Sequence, residues 1–178
     1  MRTSTVRRLW SFFFLPEENV SETAPIQNAG VHYPPPLLYV AGFAAGWLLD
    51  RVWPLPLGIG SHTVRMLIAS LFILAWLGMM AWSLATFRAA RTSLVPNRPS
   101  SALVTNGPYG VTRNPMYSSL VMAYVGFAVL ANSWWPILFL PLVILAVQRF
   151  VIAREERYLT SAFPVEYPAY CQRVRRWI

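Results

Sequence analysis

The chain has 178 residues, of which 56% are hydrophobic, 15% aromatic and only 12% charged, a balance that excludes an ordinary soluble domain of this size. All 15 basic residues are arginines, against seven acids, for a formal charge of +8. That excess suits anionic lipid headgroups, and because the arginines punctuate apolar segments without forming a continuous basic face, nucleic acid is not an expected partner.

At the N-terminus, Arg2 to Arg8 precede the apolar run Leu9-Trp10-Ser11-Phe12-Phe13-Phe14-Leu15. The run is short, Pro16-Glu17-Glu18-Asn19 follows it, and no small-residue cleavage site is present. An interfacial anchor, with arginines on lipid phosphates, fits better than a signal peptide. His32 and His62 fall near membrane boundaries without a second ligand nearby, and the single cysteine, Cys171, excludes an internal disulfide. No metal site is expected.

The first predicted span is Leu37–Leu49, preceded by Pro34-Pro35-Pro36 and followed by Asp50-Arg51. It is short, so it must recruit neighbouring residues or thin the bilayer. The second, Met66–Phe87, carries no charge and is long enough to cross. From Asn114 to Gln148 there is again no charge, a stretch of roughly 52 Å as one helix at about 1.5 Å per residue, well beyond a hydrocarbon core about 30 Å thick. It must fold back, and Asn132-Ser133 is the polar pair that divides Met116–Ala131 from Trp134–Val147.

The loop from Arg88 to Pro115 holds Arg88, Arg91, Arg98 and Arg113 and no acid. By the positive-inside rule it is cytoplasmic. The tail adds Arg149, Arg154, Arg157, Arg173, Arg175 and Arg176 against three glutamates, and four spans return both termini to the same side. The expectation is one all-α integral membrane domain over residues 1–178, with an interfacial segment at 1–33, two spans within 34–95, and a loop, C-terminal helical hairpin and tail within 96–178. In a bacterium it would lie in the cytoplasmic membrane. No repeat, heptad run or low-complexity tract appears.

Read structurally, Asn114 caps the third span and Pro115 occupies its first position. Such a helix start also presents free N–H groups to an anion, with Arg113 beside it. Tyr109 and Tyr117 fit a membrane boundary, yet aromatic faces and carboxylates also attract a cationic centre, while arginine attracts a carboxylate on the same ligand. The tail segment Arg154-Glu155-Glu156-Arg157 reads by itself as a solvated, self-paired helix surface.

Gly107-Pro108-Tyr109, Arg113-Asn114-Pro115-Met116-Tyr117, and then Glu155-Glu156 with Leu159, Phe163, Glu166-Tyr167, Tyr170 and Arg173-Val174 occur in an order and spacing that resemble the isoprenylcysteine carboxyl methyltransferase and phospholipid N-methyltransferase superfamily. The resemblance runs from Pro96 to the end, and several separated motifs make it specific. It implies an S-adenosylmethionine-dependent methyltransferase, with a cofactor entering from the cytosol and a lipophilic acceptor from the bilayer. Carried over by position, Ser101, Ala102, Leu103, Val104, Tyr109, Arg113, Asn114, Pro115, Met116, Tyr117 and Glu155 line the cofactor, with no metal.

Three positions depart from the superfamily. Asn114 stands where eukaryotic carboxyl methyltransferases have histidine, Ser119 where they usually have glycine, and Val151 where the acceptor-binding arginine lies. Prenylcysteine specificity is therefore not carried over. An amine or thiol acceptor would call on Glu156 as base, whereas a carboxylate acceptor would call on Arg154 or Arg149. Proximity and a dry site could supply most of the rate. Two other functions compete: a nicotinamide-dependent membrane reductase of related fold, for which Gly58-Ile59-Gly60 is a lone motif without its strand-turn-helix context, and a non-catalytic membrane subunit. Membrane lipids are expected partners, and no feature fixes an oligomeric state.

Overall fold

The computed structural model describes residues 34–90 and 102–177. The N-terminal segment with His32, and Arg91, Arg98 and Ser101 of the loop, lie outside the described residues. The rest is helical: α1 (Pro36–Val52), α2 (His62–Ala89), α3 (Pro115–Ala131), α4 (Trp134–Val147), α5 (Ala153–Ala162) and α6 (Glu166–Arg173), with a 3-10 turn at Gly107–Gly110 and a π-turn at Gln148–Ile152. Among the described residues no strand forms, only two isolated bridges, Pro56 with Ser133 and Thr112 with Arg175.

Two helices are long and apolar enough to cross a membrane: α2, with 28 residues, and the continuous 29-residue run Trp134–Ala162. The helices α1 and α3 have 17 residues each, at the short end of the spanning range. The first helix does recruit neighbours, extending past Leu49 through Asp50 and Arg51. Asp50 has a reason to be there, because its Oδ1 accepts from Ser133 Oγ at 2.7 Å and from the Leu55 amide at 3.0 Å. The Arg51 guanidinium lies 4.4 Å from the Trp47 ring centroid, an arrangement that stabilises an exposed cation.

The hairpin turns where the polar pair predicts. Asn132 adopts the left-handed conformation at φ 53°, which asparagine tolerates better than most residues. Ser133 then caps α4, its Oγ accepting from the Trp135 amide at 3.2 Å. This turn is tied to the α1–α2 connection by Trp134 N–H to the Leu55 carbonyl at 2.8 Å and by Trp135 Nε1 to the Trp53 carbonyl at 2.6 Å.

Helix α3 is central and touches α1, α2 and α4. Its buried positions Ser118, Ser119, Ala123, Gly126 and Ala128 are small, which lets α2 approach closely, as membrane helices commonly do. By contrast α2 packs mainly on α3 and leaves Leu67, Leu71 and Leu74 about two-thirds exposed. The α1–α4 contact is tighter still. A methyl added at Gly46 would lie 2.6 Å from the Pro136 nitrogen and 2.7 Å from its Cα, and backbone atoms do not move aside cheaply. We expect Gly46→Ala to cost about 1–3 kcal/mol, read as a lower thermal midpoint in detergent, while Gly78→Ala, with nothing within 4 Å, leaves it in place.

The N-terminal end of α1, the C-terminal end of α2, the start of α3 and the end of α4 all meet at one end of the bundle. Helices α1, α3, α4 and α5 and the π-turn share an apolar cluster of Tyr39, Tyr124, Leu140, Val143, Val147, Val151, Ile152 and Tyr158. Val151 and Ile152 are fully buried within the π-turn. The core thus runs beyond the apolar helix and supports α5 from beneath.

Candidate active site

At this end the loop before α3 and the C-terminal tail come together, and Tyr117 and Glu155 meet across them. Tyr117, in the first turn of α3, donates from Oη to Glu155 Oε1 at 2.7 Å. Its own carbonyl accepts from Tyr39 Oη of α1 at 3.2 Å, so three helices fix one carboxylate.

Tyr109 completes the surround from the 3-10 turn. Its ring packs edge-on to Phe87 of α2, with centroids 5.1 Å apart, and its carbonyl accepts from Tyr170 Oη at 2.6 Å. Burial, with smaller contributions from Tyr170 and Glu155 and against a hydrogen bond to Ser83, raises the Tyr109 phenol well above its usual range. The turn sits this close to α2 because Gly107 opens it at φ 58° with no side chain. A methyl there would lie 2.9 Å from Thr86 Oγ1. Just upstream, Ala102 is exposed, Leu103 half-buried and Val104 buried.

Arg113 occupies a second, adjoining cluster. Its Nη1 lies 3.2 Å from Glu156 Oε1 and donates to Cys171 Sγ at 2.7 Å, while its Nε is buried with no partner among the described residues. Burial lowers the Arg113 pKa, but Cys171, Glu156 and Tyr167 outweigh it and the net shift is upward. The guanidinium therefore stays charged. Tyr167 is raised by burial first and then by Glu156 and Cys171. Burial also pushes Tyr170 up to about 12, against the opposing field of Arg113, so both phenols are neutral donors at physiological pH.

Glu156 is held from two sides, since Arg176 Nε donates to its Oε1 at 3.0 Å and Arg176 Nη2 pairs with its Oε2. The reading of this tail as a self-paired helix surface is thereby corrected. The partners of Glu156 come from the loop and the chain's end, because α5 turns that residue inward. With both oxygens engaged by guanidiniums, Glu156 acts as a clasp that positions Arg113, and the structure does not place it as a free base.

The tail also straps the start of α3. The Arg113 amide donates to the Arg175 carbonyl at 2.9 Å, and Thr112 Oγ1 and Asn114 Nδ2 both donate to the Arg176 carbonyl at 3.0 Å. Asn114 holds the cap position and Pro115 the first turn of α3, as expected. The Asn114 side chain makes no capping bond, because its amide is turned toward the tail instead. Met116 is half-buried in the first turn of α3.

Arg154 neighbours Glu155 on α5 and is half-buried. Arg149 is exposed in the π-turn, and the structure does not bring it to the Tyr117 pair. Val151, where the superfamily resemblance places an acceptor-binding arginine, is fully buried core. Sequence reasoning missed the parts of Tyr39, Thr112, Cys171 and Arg176. Each acts through a partner at least 20 positions away in the chain, a pairing with no local signal. Among the described residues no group of three or more His, Cys, Asp or Glu side chains could hold a metal ion.

The pattern of the phospholipid methyltransferase family matches residues 64–166, the stretch that holds α2, the loop, the hairpin and both glutamates. The chain belongs to the phospholipid methyltransferase family. It is similar to the cobalt-zinc-cadmium resistance protein CzcN of Cupriavidus metallidurans, with 34% identity over 102 residues, 57% of this chain and 47% of that protein. It also resembles an uncharacterized protein of Haemophilus influenzae, with 42% identity over 66 residues, 35% of this chain and the whole of that protein. The chain thus spans about half the length of CzcN. No solved structure matches. As a member of this methyltransferase family with two apolar helices long enough to cross, the protein is expected to work at a membrane.

Proposed function

We propose that the protein transfers a methyl group from S-adenosylmethionine to a lipophilic acceptor, a carboxylate, amine or thiol, at the cytoplasmic face of the membrane. The Tyr117–Glu155 pair carries this reading: a hydrogen-bonded carboxylate among phenol rings, beside a charged arginine whose buried Nε has no partner among the described residues. A ligand with a cationic centre and a carboxylate of its own fits that donor and acceptor set.

In this reading Glu155 accepts from hydroxyl or amino groups of the cofactor, and Tyr117 and Tyr109 offer aromatic surface to its positive centre. Arg113 and the amides at the start of α3 face its carboxylate, with Ala102 to Val104, and Ser101 before them, along one side. Bound there, the cofactor supplies an electrophilic methyl on sulfonium. The chain's residues orient the two reactants and keep water out, the contributions such a displacement needs most. In this reading Arg154, next to Glu155 on α5, meets a carboxylate acceptor.

Four helices, α1 to α4, cross the bilayer in this account, with the site end and both termini in the cytoplasm. The deciding experiment is calorimetric titration of the purified protein with S-adenosylmethionine and, separately, with NADPH. We expect saturable binding of the first alone. Binding of NADPH alone would move the assignment to a reductase.

Topology is checked by cysteine labelling in a Cys171→Ser background. A cysteine at Ser61, exposed in the α1–α2 connection at the same end as the Asn132-Ser133 turn, should react only from outside and one at Ser100 only from the cytoplasm, and the reverse pattern would invert the arrangement. Lateral entry of the acceptor predicts that the Michaelis constant falls as its apolar tail lengthens, each buried methylene contributing about 0.8 kcal/mol. Turnover that is best for tail-less acceptors would point to an aqueous substrate.

A further inference from the structure

A second feature lies on the other side of α5. An open groove of about 710 Å³ is lined by Arg149, Ala153, Glu156, Arg157, Thr160 and Ser161. At 3.6 residues per turn, Ala153, Arg157 and Thr160 fall on the side of α5 opposite Glu155. The groove is therefore separate from the Tyr117 pair. The charge of Glu156 is committed to Arg113 and Arg176, so the two arginines set the sign of the groove.

Both have hydrogen-bonding capacity to give. Arg149 makes no hydrogen bond or ion pair among the described residues, and Arg157 commits its Nε to the Ala153 carbonyl at 3.3 Å, which leaves both Nη groups. Thr160 donates to the Glu156 carbonyl at 2.7 Å, and Ser161 adds an exposed hydroxyl. Leading into the groove along α4, Leu142 and Leu145 share a helix face with Arg149 and are 62% and 60% exposed. Phe150 stands exposed beside them. One stripe thus passes from bare leucines to two guanidiniums within a few turns, the profile of an acyl chain continued by a phosphate.

We propose that this groove binds the headgroup phosphate of an anionic phospholipid, with the acyl chains lying along Leu142 and Leu145, at a site distinct from that of the methyl-transfer chemistry. The inference rests on the reading of α4 as a bilayer span. A free phosphate would use the guanidiniums but gain nothing from the exposed leucines, which is why the lipid is the favoured ligand.

The test is native mass spectrometry of the full-length protein released from nanodiscs of equimolar phosphatidylglycerol and phosphatidylcholine. Phosphatidylglycerol adducts should predominate by about tenfold. Arg149→Gln/Arg157→Gln should abolish the preference, and Arg51→Gln, at the other end of the bundle, should preserve it. Should the double variant aggregate, Arg157→Gln alone, at an exposed position, should still reduce the preference severalfold. Undiminished preference in a monodisperse variant would overturn the proposal, as would displacement of the adduct by inorganic phosphate at the concentration at which phosphatidylglycerol competes. Titration of the same samples with S-adenosylmethionine keeps the two readings apart: lipid preference without cofactor binding would remove the methyltransferase assignment and leave the lipid site standing.

Discussion

Glu155→Ala is expected to weaken S-adenosylmethionine binding by about 1–3 kcal/mol, a loss of roughly 5- to 150-fold. The substitution removes a carboxylate that has no substitute nearby, because the neighbouring Glu156 is engaged by Arg113 and Arg176. It also deprives Tyr117 Oη of its acceptor at 2.7 Å. Tyr117→Phe separates the two effects, since it keeps the aromatic face and deletes only the hydrogen bond, and it should cost about 1 kcal/mol. Calorimetry on monodisperse protein reads both. Unchanged affinity in Glu155→Ala would return this glutamate to an ordinary helix surface.

Glu156→Ala should act on stability more than on chemistry. Its carboxylate is the junction of loop, helix α5 and tail, and the Arg113 side chain that it neutralises is only 15% exposed. Removing one partner leaves a guanidinium largely out of water with a thiol for company, a loss of about 3 kcal/mol by comparison with other broken partly buried pairs. Arg176 is the more exposed partner, at 39%, and adds little. We expect a lower thermal midpoint in detergent for Glu156→Ala and a midpoint within error of the parent for Arg157→Ala, one residue further along the same helix. An undisturbed midpoint in Glu156→Ala would show that the clasp is not what holds the tail.

Much of the helical order is legible in the sequence, for identifiable reasons. The division of the long uncharged stretch at Asn132-Ser133 was legible because a polar pair in apolar surroundings has few places to go, and a turn at the bundle's end satisfies it. The second helix announced itself by length alone. The extent of α1 was less legible, since Asp50 and Arg51 look like a stop until Ser133 and Trp47 are known to lie beside them. At the site, the family resemblance brings Tyr117 and Glu155 forward together, and they are in contact. What spacing could not convey was the division of labour between adjacent glutamates. Glu155 and Glu156 differ only in which way α5 faces, and that is set by packing of Val151 and Ile152, residues with no polar signal at all.

The π-turn at Gln148–Ile152, where the Ala153 amide reaches back to the Gln148 carbonyl, therefore serves as a phase shifter. It lets one continuous helix carry two incompatible face patterns, one matched to lipid and its neighbours in α4 and the other to the loop and tail in α5, by inserting a single residue of slip between them. Winding the same residues as uniform α-helix would rotate everything downstream by about 100°, swinging Glu155 away from Tyr117 while leaving composition and hydropathy unchanged. The reactive geometry of this protein thus depends on an angular offset, and a chain that kept every motif but lost that offset would span the membrane in the same way without assembling the site.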